Sequence, residues 1–475
     1  MSIYLSNYWS LYSEFIHTAQ ELKYRNIPLA LMTNFYQQIN DELRSEMGSS
    51  DFKLKLEHSG IHEQHQIQPF FDNRVAPLYQ PVKSNLKGKI LINLDYIRMS
   101  EQTISEHFSG DSAMILSRSR ATELYGIPNV YSLGYKRDTK AEAEELVRRA
   151  ADLFAKAEGH PAFSNEFFTQ TFLSRIPSIV DTIEMVFNLY NDLPVASVMV
   201  GTTEDVASRA LAVVAGIKGI PSVCLQHGIL MGEEAFIPVF SSHIAIYGQY
   251  EHDWYVRRGL EAGRIVITGH ARYDDIFTSK ITSTESFRET YQLDPHKITL
   301  LIATGPTLDE SKIRTLLTQL ASHPQFQLII KPHPWELSKK LISLYTGYEE
   351  EYSNVHVVTD RKADTRELIM KSDAVVATLS TVALEGLLFG KPVFVYKFIQ
   401  ANREYDYYDA LDRYIQKEPS DLTSIIARYY SSSNIEKLNY KTVKEKFLQQ
   451  AYQIPDSGKA LADLMDRLIH GSGNR

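Results

Sequence analysis

The sequence predicts an α/β protein carrying two successive series of strand–helix units on parallel sheets. Three observations point there. Short apolar runs suited to strands buried on both faces recur at residues 197–200, 222–225, 298–303, 327–330 and 374–377. Each is followed by a turn rich in Gly, Ser, Thr or His and then by a helical pattern. Stop signals such as Gly219, Gly390 and Pro392 close those helices before the next strand.

Bulk properties narrow the class. A chain of 475 residues with 44% apolar and 23% charged residues has the composition of a folded protein and is long enough for two or three domains. A net charge of −8 argues against a general nucleic-acid binder and leaves no polybasic membrane tail. A single cysteine, Cys224, excludes an internal disulfide and a multi-cysteine metal site, and fits a reducing compartment. The start Met1-Ser2-Ile3-Tyr4-Leu5 does not read as a signal peptide, and no run of 18 apolar residues occurs. A cytoplasmic protein is expected.

In chain order, residues 1–85 are hard to read. A helical pattern fills 11–22, and 29–35 fits a strand or a helix. His62, Glu63 and His65 lack the spacing of a helical metal site and read as a solvated loop. Residues 89–94, 113–116 and 129–133 are strands. Arg118 and Arg120 follow the second of these, where an acidic substrate or an acceptor could meet them; a solvated helix start explains them equally well. Residues 138–157 form a helix with early glutamates and late arginines, which suits the helix dipole. A second long helix is expected over 165–193, interrupted at Pro177.

From residue 195 the α/β rhythm is regular. The strand 197–200 leads into Gly201-Thr202-Thr203-Glu204-Asp205, and the strand 222–225 into Gln226-His227-Gly228. Glu204, Asp205 and His227 therefore stand at carboxyl ends of neighbouring strands, positions that face ligand rather than core. A purely structural histidine is the alternative at 227. Residues 248–277 read as a connector with a short strand at 265–268. In the second series, strand 298–303 runs into Thr304-Gly305-Pro306-Thr307, and strand 327–330 into Lys331-Pro332-His333-Pro334. Proline favours the first helical position, which puts His333 at a helix mouth. After strand 374–377, Ser380 stands where an N-cap belongs, and Thr381 and Glu385 share one helical face. Helix N-termini favour phosphate, and a carboxylate one turn on suits sugar hydroxyls. An ordinary capped helix with a surface glutamate would carry the same residues. Three strand ends delivering Thr304/Gly305/Thr307, His333 and Ser380/Thr381 to one sheet edge favour a nucleotide or phosphate site. Residues 458–470 read as a last amphipathic helix.

The motifs Gln226-His227-Gly228, Gly269-His270-Ala271-Arg272-Tyr273-Asp274, Lys331-Pro332-His333-Pro334 and Ser380-Thr381…Glu385-Gly386…Gly390-Lys391-Pro392 follow in an order that resembles a group of bacterial surface-polysaccharide transferases. The group includes CDP-glycerol glycerophosphotransferases, capsule Kdo and sialic-acid transferases, and spore coat polysaccharide biosynthesis proteins. The resemblance spans about residues 195–400 and is most specific in its last third. It implies the GT-B architecture, two Rossmann-like domains facing across a cleft. The expected division is 1–250 for the acceptor side, 251–290 for a connector, 291–450 for the nucleotide-donor side and 451–475 for a helix returning to the first domain.

By resemblance, Thr304, Gly305, Thr307, Lys331, His333, Ser380 and Thr381 would hold the donor and its phosphate, and Glu385 the ribose. His227 would be the general base, with Glu204 or Asp205 as substitutes. The glycerophosphotransferases of the group usually read His-Gly-Thr-Pro and Asp-Tyr-Ser-Ser, whereas this chain has His227-Gly228-Ile229-Leu230 and Thr378-Leu379-Ser380-Thr381. That shifts the expectation toward sugar transfer, inverting, from a CMP- or CDP-linked donor. Polyol-phosphate transfer, a hydrolysing UDP-sugar 2-epimerase and a non-catalytic glycan or nucleotide binder are the alternatives. No Asp-x-Asp stands at a strand end, so no metal or other cofactor is expected. The expected partners are a nucleotide-sugar, a glycan or lipid-linked acceptor, and peripheral contact with the inner membrane face or other polysaccharide-synthesis enzymes.

Overall fold

The computed structural model describes residues 1–82, 87–157, 159–278, 285–306, 308–399, 403–431 and 434–470. The chain divides into two compact units, residues 1–272 with 454–475, and residues 273–453.

The first unit opens on the helix Ile3–Thr18, buried without interruption from Asn7 to Ile16. Its polar residues Asn7, Ser10, Ser13 and Glu14 are buried with the apolar ones, so the helix lies inside its unit. Aromatic packing seats it: Tyr12 stacks on Phe35 at 4.3 Å, and Phe15 meets Phe172 edge-on at 5.0 Å. β1 (Lys23–Tyr24) and β2 (Ile27–Pro28) make an antiparallel hairpin, with Arg25 and Asn26 at φ 51° and 64° in its turn. The ambiguous 29–35 stretch resolves into a 3-10 turn, Leu29–Met32, and irregular chain.

The unit's sheet comprises β3 (Lys89–Asn93), β4 (Ala113–Ser117), β5 (Glu123–Leu124), β6 (Ile127–Tyr131), β7 (Val195–Val200), β8 (Ser222–Leu225), β9 (His243–Ile246) and β10 (Ile265–Ile267). Their order among the described residues is β10-β9-β8-β7-β3-β4-β6-β5, parallel throughout except for β5 against β6. The chain therefore winds outward from β3 to β6, then crosses back and winds the other way from β7. The crossing uses the helices Lys140–Ala155 and Glu166–Asp192. Contrary to expectation, Pro177 does not interrupt the second of them. Proline removes one backbone hydrogen bond, but Phe172, Ile176, Ile179 and Val180 around it are fully buried and hold both halves on the core.

Residues 251–290, expected as a connector, divide differently. The helix Gln249–Arg257 and strand β10, which pairs with β9 at the sheet edge, belong to the first unit, whose boundary falls after Arg272. The helix Ser457–His470 also belongs to this unit. It buries Leu461, Leu464 and Met465. Its Gly458 lies so close to His107, at the end of the helix Glu101–His107, that a Cβ would meet the imidazole at 2.4 Å.

The second unit holds β11 (Ile298–Ala303), β12 (Phe326–Lys331), β13 (Val355–Val357), β14 (Ala374–Ala377), β15 (Val393–Tyr396) and β16 (Ile415–Gln416). Their order is β13-β12-β11-β14-β15-β16, parallel at every pair. Numbered within the unit this is 3-2-1-4-5-6, the doubly wound nucleotide-binding order. The helix Thr381–Leu388 packs closely on this sheet at Gly386, where a Cβ would sit 2.9 Å from Val393 Cγ2. Among the described residues no helix is long and apolar enough to cross a membrane.

Candidate functional site

Doubly wound sheets bind ligands at the carboxyl ends of the strands where the strand order reverses. In the first unit that point lies between β3 and β7. Gly201, directly after β7, touches the exit of β3: a Cβ there would lie 2.2 Å from the Tyr96 carbonyl. Tyr96 and Arg98 in that exit hold φ at 63° and 53°, left-handed conformations that cost about 1–2 kcal/mol each and concentrate at functional sites. A pocket of about 490 Å³ opens here, lined by Asn34, Gln37, Tyr96, Arg98, Arg175, Glu204, Asp205 and His227 among others.

The polar groups of this pocket are arranged by the backbone. Glu204 Oε1 accepts from Asn34 Nδ2 at 2.8 Å. Asp205 caps the helix Val206–Lys218, its Oδ1 accepting from the Ser208 N–H at 3.0 Å, while its buried Oδ2 has no partner. His227 follows β8 and stacks on Phe236 with centroids 4.7 Å apart and rings tilted by 10°. Burial, helped by the Arg98 guanidinium, lowers its pKa to about 4, so the ring is neutral at ordinary pH. Arg98 Nη1 donates to the His227 carbonyl at 2.7 Å. Arg175 donates to Gln37 Oε1 at 3.2 Å, and burial lowers its pKa. The three expected catalytic candidates thus share one pocket. Arg118 and Arg120 do not line it: both are exposed, Arg118 lies 3.6 Å from Asp95, and Arg120 covers the Tyr131 ring.

In the second unit the order reverses between β11 and β14. Gly305, after β11, would press a Cβ to 2.8 Å from Thr378 Cγ2 after β14, so the two loops are in contact. His333, after β12, is the N-cap of the helix Pro334–Lys339. Its Nδ1 accepts from the Trp335 N–H at 3.2 Å, which places the proton of the neutral ring on Nε2. Burial lowers its pKa, opposed by Glu336. Buried Glu336 organises the whole turn: it accepts from Thr304 Oγ1, from the His333 N–H at 2.9 Å and from Tyr345 Oη at 2.7 Å. Ser380 occupies the N-cap position of the helix Thr381–Leu388, but its side chain does not cap it. Its Oγ is buried without a partner, as is Thr378 Oγ1, and its carbonyl accepts from Tyr408 Oη at 2.6 Å. Glu385, one turn in, is buried. Lys331 commits its ammonium to the Asp360 carbonyl at 2.7 Å, and burial lowers its pKa. Thr307 lies outside the described residues.

The sequence analysis missed Arg98, Arg175, Asn34 and Gln37. For Arg98 a signal existed: it lies just past the carboxyl end of a recognised strand, the criterion that drew attention to Arg118. Arg175 sits mid-helix, and Asn34 and Gln37 lie in unread chain; nothing local marks them.

Residues 250–460 match the family model of CDP-glycerol:poly(glycerophosphate) glycerophosphotransferase. No curated protein matches significantly. Among solved structures the chain is similar to S. aureus MnaA in complex with UDP, at 12% identity and TM-score 0.51, over 81% of this chain and 97% of that one. It is also similar to UDP-GlcNAc 2-epimerase from Neisseria meningitidis bound to UDP-GlcNAc, at 14% identity and TM-score 0.50, over 80% and 99% of the two chains. A glycosyltransferase from Rickettsia africae matches at 10% identity and TM-score 0.50, over 82% and 100%. The fold is GT-B, as the motifs implied. The family match over residues 250–460 agrees with the resemblance to the polysaccharide-transferase group.

Proposed function

We propose that the protein transfers a sugar from a nucleotide-activated donor, CMP- or CDP-linked, to a hydroxyl of a growing surface or spore-coat polysaccharide or lipid-linked glycan. The second unit binds the donor. The leaving phosphate gathers negative charge as its bond to the sugar breaks. His333 Nε2–H, the first N–H groups of the helix Thr381–Leu388 and the Thr304-Gly305 turn stabilise that charge. Glu385 takes the ribose. The first unit binds the acceptor, and neutral His227 removes the hydroxyl proton, with Asp205 Oδ2 or Glu204 as the substitute base. Transfer inverts the anomeric centre and uses no metal, so a chelator leaves the rate unchanged. In this reading the enzyme works in the cytoplasm, at the inner face of the membrane.

The observation that carries this reading is the convergence of Thr304-Gly305, His333 and an uncommitted Ser380 hydroxyl on the strand ends of a 3-2-1-4-5-6 sheet. It is tested by thermal shift with CMP, CDP, UDP, GDP and ADP, on wild type and His333→Ala. A nucleotide at a hundred times its Kd adds about 2.7 kcal/mol of stability. One nucleotide shifting wild type but not the variant supports the reading; no shift with any of them overturns it. Nucleotide release that requires acceptor then separates transfer from epimerisation.

The family match over residues 250–460 favours a second reading, transfer of a polyol phosphate from a CDP-polyol. The two differ in where phosphorus goes. Labelled donor phosphorus enters the product only in polyol-phosphate transfer.

A further inference from the structure

The loop that leaves His227 has little regular structure of its own, only the 3-10 turn Glu233–Ala235. Yet it must hold Phe236 flat against the imidazole. The N–H groups of Phe236 and Ile237 both donate to the Glu233 carbonyl, at 3.1 and 3.0 Å, so the ring's position follows from where Glu233 is held.

Glu233 is 4% exposed, and its carboxylate is held from three directions. Trp9 Nε1 donates to Oε2 at 2.8 Å, from the N-terminal helix. Gln64 Nε2 donates to Oε1 at 3.0 Å. Arg258 donates Nε to the same oxygen at 2.8 Å and adds an Nη2 contact. Arg258 is itself fixed, its Nη1 donating to the Trp254 carbonyl at 3.0 Å and its guanidinium lying 3.5 Å from the Trp254 ring centroid. Burying an ion pair in an apolar core adds little net stability over well-packed apolar residues. What these bonds do supply is direction, because each one fails if the turn shifts.

We propose that Glu233, clamped by Trp9, Gln64 and Arg258, is a positioning residue that sets the orientation of His227 through the Phe236 stack. The N-terminal layer thereby acts on the pocket of the first unit. That His227 is a base rests on the proposed function; the clamp does not. The charged groups around His227 are Arg98, Arg175, Glu204 and Asp205, which line its pocket, and the buried ring of His270, on which His227 acts electrostatically.

The test is a histidine NMR titration of the full chain, with the His227 signal assigned by its loss in His227→Gln. Wild-type His227 titrates well below 6.5. Trp9→Phe keeps an aromatic ring but deletes the indole N–H, and Phe236→Leu deletes the stack. Each is expected to move the His227 midpoint upward by about one pH unit as water reaches the ring. In turnover, kcat falls about tenfold with the KM for the nucleotide donor unchanged, which general loosening would not produce. Should Trp9→Phe not fold, Gln64→Met at its half-buried position replaces it, with a smaller shift in the same direction. A midpoint moved by Phe236→Leu but by neither clamp variant overturns the proposal, and so does a midpoint moved by none. A protein whose clamp variants shift His227 but which transfers nothing refutes the proposed function and leaves the clamp standing.

Discussion

At Glu336 one buried carboxylate accepts from Thr304, Tyr345 and the His333 backbone, so two strand exits are tied at a single side chain. Glu336→Gln replaces one of the two carboxylate oxygens by an N–H₂ that cannot accept, so the donor on that side loses its acceptor. The expected cost is about 1–3 kcal/mol in chemical denaturation, together with weaker nucleotide binding as His333 is released. His333 was legible in the sequence because two flanking prolines fix the backbone and mark a helix start. Ser380 was legible as a position and not as a contact, since an N-cap residue ordinarily spends its hydroxyl on the helix and this one does not. Lys331 stood in the right motif, but its ammonium is occupied by the Asp360 carbonyl. Arg175 was invisible, because only the tertiary fold brings its part of the helix Glu166–Asp192 against Gln37.

Among the elements, strands announced themselves and the N-terminal layer did not. The runs 298–303 and 374–377 are apolar on both faces and bounded by turn residues, and they became β11 and β14 with little change. The helix Ile3–Thr18 buries its polar residues Asn7, Ser10, Ser13 and Glu14 along with its apolar ones, so residue type did not separate an inner from an outer face, and only its second half was marked. The helix Ser457–His470 has such a period and was found. Leu464 within it is 3% exposed, so Leu464→Ala should cost about 2–5 kcal/mol by calorimetry. A cost below 1 kcal/mol would mean that the helix is not a fixed part of its unit.

For the molecule as a whole, buried and half-buried histidines contribute to the response to acid. Burial lowers the pKa of His227 to about 4, and also lowers those of His243, His270, His333 and His356. Their unfolded counterparts titrate near 6.5, so below that pH the unfolded chain binds more protons than the folded one. Stability is therefore complete above about pH 6.5 and declines as pH falls toward 4, most through His227 and His270 and less through half-exposed His333 and His356, whose charge water screens. Urea midpoints measured from pH 8 to pH 5 should be level at first and then drop; a midpoint that rises on acidification would contradict this assignment.

The first unit is built from residues 1–272 and 454–475, with the whole of the second unit between them. During synthesis, domains generally fold in the order they emerge. Here the earlier one cannot finish first. The surface that receives Leu461, Leu464 and Met465 stays uncovered until the helix Ser457–His470 has left the ribosome, whereas residues 273–453 are contiguous and can close on themselves before that. A nascent chain stalled short of residue 454 should therefore hold a protease-resistant second unit beside a first unit that still binds chaperones.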